Sequence, residues 1–449
     1  ESGKRRSRTA TWGIAALTCV ITMLTSVLPA DAQRLPLIRD SEIEKLLDDY
    51  ARPIFDAAGL GSGRVAIRIV RSRVFNAFVL DGRNVFMHTG ALQQADTPNQ
   101  IIGIIAHEAG HITGGHMAAL RSRIQRDQTR ILLMRILGIG AAIATGNAAA
   151  AVAGDELVMR SLLAERRSQE SAADQAGLTY LSRTGQSGRG MLETFERFAQ
   201  QEYISDTYKD PFVRSHPVAS HRIATLRDLA RSSRYFDKRD SPELQYRHDL
   251  MRAKLAGYLE PPASVFNRYP SRDRSIPAQY ARSIASFFRG GNNGLTNAIA
   301  GIDQLIKQRP NYPYFWELRG DLHMRAGRAR DAIPSLQRAL KLAPRSPLIQ
   351  VQLAGAYLAT NDRSRINAAM RLLRQANSRD QNPRAHRLLA DAFYRLGRRA
   401  EADAATAQAT FMSGNLKRAK VFARRAKANL KRGTPYWVRM DDILNTEDR

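Results

Sequence analysis

The run His107-Glu108-Ala109-Gly110-His111 sets two imidazoles four positions apart around a carboxylate. On a helix that spacing puts His107 and His111 on one face, one turn apart, where both can reach a single ion. Zinc favours nitrogen donors in tetrahedral geometry, and a catalytic site keeps one position for water. Glu108, beside the first imidazole, can take that water's proton as it attacks a carbonyl. The preceding residues Ile101-Ile102-Gly103-Ile104-Ile105 predict an apolar, buried helix.

A catalytic zinc needs a third protein ligand. The three-histidine spacing H-E-x-x-H-x-x-G-x-x-H would place it at position 117, which is Met117, and His116 follows too closely. A carboxylate from a later helix is the other solution. Glu170-Ser171-Ala172-Ala173-Asp174 offers acids at i and i+4, with small residues between them that permit close helix packing. Glu170 is assigned to the metal. Asp174, one turn on, is assigned to orient a ligand histidine. Glu165 is the rival, set against Arg166 and Arg167.

Elements must bring these groups together. Apolar residues between Asp40 and Leu60 recur at helical spacing, and Val65–Val70 is a β-branched run that reads as a strand. Asn76–Gly90, with Asp81-Gly82 at its centre, reads as a hairpin. Its Asn76, Ala77 and Phe78 are expected to form an edge strand beside the zinc helix, against which an extended substrate can pair. Helices follow from Asn99 to His116 and around Arg160–Tyr180. The uncharged Ala- and Gly-rich stretch 136–154 between them is expected to act as an amphipathic lid. The first half is therefore an α+β domain, helices with a small sheet.

The second half reads as all helix. Pro277, Pro313, Pro347 and Pro383 stand 36, 34 and 36 residues apart, with Gly320, Ala354 and Ala390 in phase. Trp316, Leu318, Gly320, Ala332, Ala339 and Pro344 make one unit that resembles the tetratricopeptide repeat (TPR), whose helix pairs stack into a solenoid. Residues 231–276, with Pro261-Pro262 and Pro270, are expected to join the halves through one helix, Leu244–Leu259.

The H-E-x-x-H helix, the later E-x-x-A-D and Ser215-His216-Pro217 together resemble the gluzincin peptidases of the HtpX and CAAX prenyl protease type. With an export signal and a TPR tail, the chain is similar to their periplasmic BepA-type branch. That resemblance covers residues 36–230 closely and the repeats in architecture. It implies His107, His111 and Glu170 as ligands of one zinc per chain, with Glu108 as base. His216 would face the zinc, as oxyanion donor or fourth ligand, with Arg222 near it.

Composition bounds the rest. The chain has 449 residues, 43% hydrophobic, enough for sizeable cores. Its single cysteine, Cys19, excludes a disulfide framework. Lys4, Arg5, Arg6 and Arg8, an apolar run from Trp12 to Leu28, and Ala30-Asp31-Ala32 have the three parts of a signal peptide. The expected organisation is a signal peptide (1–32), a zinc metallopeptidase domain (33–230), a joining region (231–276) and an all-α TPR solenoid (277–449). Localisation is expected to be the periplasm. The formal charge of +27 is uneven: +3 over residues 33–230 and +22 over 231–449. An acidic partner or an anionic membrane surface would suit the basic half. Export argues against nucleic acid. The resemblance implies hydrolysis of unfolded or misassembled envelope proteins, with the TPR repeats docking the outer-membrane assembly machinery. The alternative is a zinc-closed scaffold or chaperone with little proteolysis.

Overall fold

The computed structural model describes residues 35–123, 153–200 and 210–447, apart from single positions 62, 218, 292 and 381. The expected signal peptide and residues 136–152 of the expected lid lie outside the described residues.

Strand β1 (Leu37–Ile38) leads into helix α1 (Ser41–Ala57), whose N-cap Asp40 accepts hydrogen bonds from the amides of Glu42 and Ile43. One face of α1 buries Ile43, Leu46, Leu47, Tyr50 and Ile54 against the sheet and the next helices. The sheet continues with β2 (Ala66–Val70), β3 (Ala77–Val79) and β4 (Asn84–His88) in the order β1-β2-β4-β3. Strands β3 and β4 form the antiparallel hairpin, with Ala77 opposite Met87 and Val79 opposite Val85. Asp81 closes its turn by accepting from the amides of Arg83 and Asn84. Strand β3 of the expected hairpin thus lies at the sheet edge, while β2 pairs parallel to β4.

A short α2 (Thr89–Gln94) precedes α3 (Pro98–Thr113), which runs buried through the core from Pro98 to His111. The helix expected around Arg160–Tyr180 is longer, α4 (Ala153–Arg183). It crosses α3 at small residues: a Cβ at Gly110 would lie 2.6 Å from the Ala173 carbonyl oxygen. Gly177 faces the backbone of Ala106 and His107 in the same way. That close approach carries Glu170 and Asp174 to the two histidines. Then come α5 (Arg189–Glu196), α6 (Pro211–Ser215) and α7 (Ser220–Ser232).

The joining region carries two helices rather than one, α8 (Pro242–Leu259) and α9 (Pro262–Arg268). Pro262 starts the second because a first-turn residue needs no N–H acceptor. Helix α8 is shared between two cores. Its Met251 and Leu255 pack with the first domain, and its Leu250 and Ala253 pack with the helices that follow.

Those are antiparallel pairs: α10 (Ile276–Arg289) with α11 (Gly294–Gln308), and α12 (Pro313–Arg325) with α13 (Ala329–Leu342). They continue with α14 (Pro347–Ala359) and α15 (Arg363–Arg379), then α16 (Pro383–Arg395) and α17 (Arg399–Met412). The four spaced prolines each sit in the first turn of a pair's leading helix. A last pair, α18 (Leu416–Asn429) and α19 (Pro435–Asn445), ends the stack. No helix among the described residues is long and apolar enough to cross a membrane.

Candidate metal centre

Helix α3 presents His107, Glu108 and His111, and α4 presents Glu170 and Asp174. His216 directly follows α6, and Arg222 lies on the first turn of α7. All seven side chains are buried. The polar atoms of His107, His111, Glu170 and His216 converge on one point.

The tautomers follow from the outer partners. Asp174 Oδ1 lies 2.8 Å from His107 Nδ1, and this carboxylate is held below its usual range. Burial alone would raise it, but Arg222 and His107 outweigh that. The ring therefore donates through Nδ1 and turns a lone pair on Nε2 inward. His111 Nδ1 lies 2.9 Å from Nδ1 of His116, so its Nε2 also faces inward. His216 donates Nε2–H to the Ala77 carbonyl at 3.0 Å, leaving the Nδ1 lone pair inward.

With His111 donating its Nδ1–H to His116, three lone pairs and a carboxylate meet with no hydrogen between them. His107 Nε2 is 3.0 Å from His111 Nε2 and 3.2 Å from His216 Nδ1. Glu170 Oε2 lies 3.2 Å from His216 Nδ1 and 3.4 Å from His107 Nε2, and Oε1 lies 3.4 Å from His111 Nε2. Four donors bound tetrahedrally to zinc would sit about 3.3 Å apart, so the residues fit that ion.

Electrostatics agree. Glu108, Glu170 and Asp174 are buried beside one buried guanidinium, that of Arg222, which pairs with Glu170 and Asp174, leaving two buried negative charges for a dication to offset. Arg222 grips Asp174 through Nε at 2.6 Å and Nη2 at 2.9 Å, and reaches Glu170 with Nη1 at 3.0 Å. It also lies over the Phe195 ring, which packs edge-on to His107. Despite burial, the neighbouring imidazoles, His216 foremost, and Arg222 keep Glu170 well below its usual range.

His107, Glu108, His111, Glu170, Asp174, His216 and Arg222 lie together, while of the expected substrate strand only Asn76 and Ala77 reach the cluster. Glu165, the rival acid, pairs with Arg123 instead. Asn76 and Ala77 border the site, because Ser215 Oγ bonds Asn76 Oδ1 and His216 caps Ala77. Phe78 stacks on Phe86 and meets the His88 ring edge-on. His116 lies outside the four-donor group, and its contact with His111 is not legible in the spacing. The signal was the Gly114-Gly115 pair: Gly115, at φ +62°, turns the chain back over His111.

Residues 38–230 match the profile of Peptidase family M48. The chain carries an M48 peptidase domain. Residues 292–418 match the profile of the cytochrome c-type biogenesis protein H TPR domain, so a TPR domain follows the M48 domain. Among curated proteins, the beta-barrel assembly-enhancing protease of Escherichia coli (strain K12) is 23% identical over 427 residues, covering 92% of this chain and 85% of that one. Its namesake in Yersinia pestis is 23% identical over 444 residues, covering 92% and 86%. Metalloprotease LoiP of E. coli K12 is 24% identical over 193 residues, 42% of this chain and 71% of LoiP.

Proposed function

We propose that the chain is a zinc-dependent endopeptidase of the periplasm that hydrolyses unfolded or misassembled envelope proteins. Its TPR repeats dock it to the outer-membrane assembly machinery. The observation that carries the activity is the set of four buried donors, spaced for one dication, with Glu108 beside it. The relatives' name, the M48 match and the signal-like first segment support the compartment and the pathway.

His107, His111 and Glu170 would hold zinc, which supplies Lewis acidity toward water and the scissile carbonyl. Glu108 takes the proton of the attacking water and passes it to the leaving amine. Its buried Oε1 lies 3.3 Å from His216 Nε2 and accepts no hydrogen bond among the described residues, as a proton acceptor in waiting requires. Asp174 and Arg222 do not touch substrate; they hold His107 and Glu170 in place. Substrate backbone pairs with the outer edge of β3, which reads little side-chain sequence and so favours extended chains.

A second reading, a scaffold with its zinc closed, draws support from His216. Its Nδ1 takes the fourth donor position and its Nε2 occupies the Ala77 carbonyl, covering both places a substrate needs. The two readings combine if His216 closes the resting enzyme. Casein cleavage by zinc-loaded protein, falling by about 10²–10⁴ in Glu108→Gln with zinc retained, tests the enzyme. Cleavage that persists in this variant would refute it. His216→Ala with unchanged or lower turnover and a normal melting profile would remove the closure.

A further inference from the structure

Far from the metal, helices α15, α16 and α19 enclose a cavity of about 300 Å³. Its walls include Arg374, Asn377, His386, Leu389, Tyr436 and Arg439. No acidic side chain lines it. Among the described residues neither arginine makes an ion pair or a hydrogen bond, although Arg374 lies over the Phe393 ring. The contrast with the larger cavity between α1 and the solenoid, about 780 Å³, is sharp. There Arg39 is paired with Glu44 and Asp380, and Arg52 with Asp48.

Three further polar atoms are left without partners. Asn377 Oδ1 and Nδ2 are buried and bond nothing, and neither does Nδ1 of His386, a residue 5% exposed. A buried amide with neither donor nor acceptor used is costly, and a ligand that satisfies both recovers that cost. Burial and the neighbouring Arg439 push His386 down to about 4, in keeping with excess positive potential. Near Tyr436, the acid Glu401 is already engaged by Arg398.

The wanted ligand therefore brings an anion, a hydrogen-bond donor and some apolar surface. Inorganic phosphate satisfies the guanidinia but leaves Leu389 and Tyr436 uncovered, and the phosphodiester of a lipid headgroup has no N–H or O–H of its own beside the charge for Asn377 Oδ1. A chain end offers all three. We propose that this cavity binds the carboxy-terminal residue of a polypeptide. The carboxylate sits between Arg374 and Arg439, the terminal N–H on the Asn377 amide oxygen, and an apolar side chain against Leu389 and Tyr436. The site thereby selects a class of partner, polypeptides with an accessible apolar C-terminus, independently of the peptidase centre.

The test uses the full chain and a fluorescein-labelled pentapeptide ending in leucine, its integrity checked by mass spectrometry after titration. Anisotropy should report saturable binding that weakens at least tenfold when the peptide's C-terminus is amidated. Arg374→Gln and Arg439→Gln, both at exposed positions, should each weaken it about tenfold or more with unchanged melting, as charge-assisted bonds of this kind are worth. Asn377→Leu provides an independent loss of the amide. Inorganic phosphate and phosphatidylglycerol vesicles at matched ionic strength should not displace the peptide. Absence of binding, equal binding of the amidated peptide, arginine variants that bind like the parent, or displacement by phosphate or vesicles would each overturn the assignment.

Discussion

The metal centre and the junction between peptidase and solenoid carry the same buried charge and resolve it in opposite ways. Each sets three carboxylates beside one buried cation: Glu108, Glu170 and Asp174 with Arg222, which pairs with the last two, and Asp40, Glu42 and Glu317 with Lys254. At the junction hydrogens make up the difference. Tyr280 and Tyr312 donate to Glu42 at 2.8 and 2.6 Å, and Ser41 and Gln352 donate to Glu317. Burial, with Asp40 and Glu42 nearby, pushes Glu317 up to about 7 against the pull of Lys254 and Ser41. At the metal centre the neighbours of the carboxylates are imidazole lone pairs, and Glu170 stays ionised. A buried acid cluster satisfied by hydroxyls and a proton is a fastening; one facing lone pairs is a cation site.

That contrast can be broken by substitution. Lys254→Met strands two carboxylates inside the junction, and stability should fall by about 3–5 kcal/mol in urea unfolding, with zinc content unchanged. An unchanged midpoint would mean that the junction is not a fastening.

The next effect is one of pH. Glu317 keeps its proton in the folded chain where the unfolded chain has lost it, so its contribution is full below about pH 4.5. That contribution declines as pH rises through about 7. The decline should amount to about 3 kcal/mol and vanish in Glu317→Gln, seen as the difference between the two stability–pH curves. Parallel curves would contradict the assignment.

At the metal centre, Asp174→Asn keeps the shape but weakens the hold on His107 Nδ1–H and loosens Arg222. Zinc affinity should drop about 10–100-fold in a chelator competition, against no change for Lys254→Met. Equal zinc affinities for Asp174→Asn and the parent would dissolve the distinction between the two clusters.

The two regions also differ in how legible they are. His107 and His111 share a helix turn, and Glu170 and Asp174 share another, so spacing alone points to them. The small residues at Gly110, Ala173 and Gly177 show that the two helices can touch. His216 depends on a loop more than 40 residues further on, and only resemblance to a family points to it. Arg222 was placed near His216, and its neighbour Pro217 does accept from it. The grip on Glu170 and Asp174 could not be read from its spacing. The junction was illegible: Glu42 meets Tyr280 and Tyr312 across 238 and 270 positions, and no periodicity encodes such a meeting. The repeat prolines marked helix starts because their missing N–H costs nothing there. The last pair, begun by Asn415 and Pro435, fell outside the 34–36-residue rhythm and went unnoticed.

The central claim is that His107, His111, Glu170 and His216 enclose one zinc ion. Elemental analysis combined with zinc X-ray absorption on the full chain tests it most directly. The account predicts one zinc per chain, bound by three nitrogens and one carboxylate oxygen, with one nitrogen lost in His216→Ala. Less than stoichiometric zinc after reconstitution, or a coordination shell indifferent to His216→Ala and His111→Ala, would contradict it.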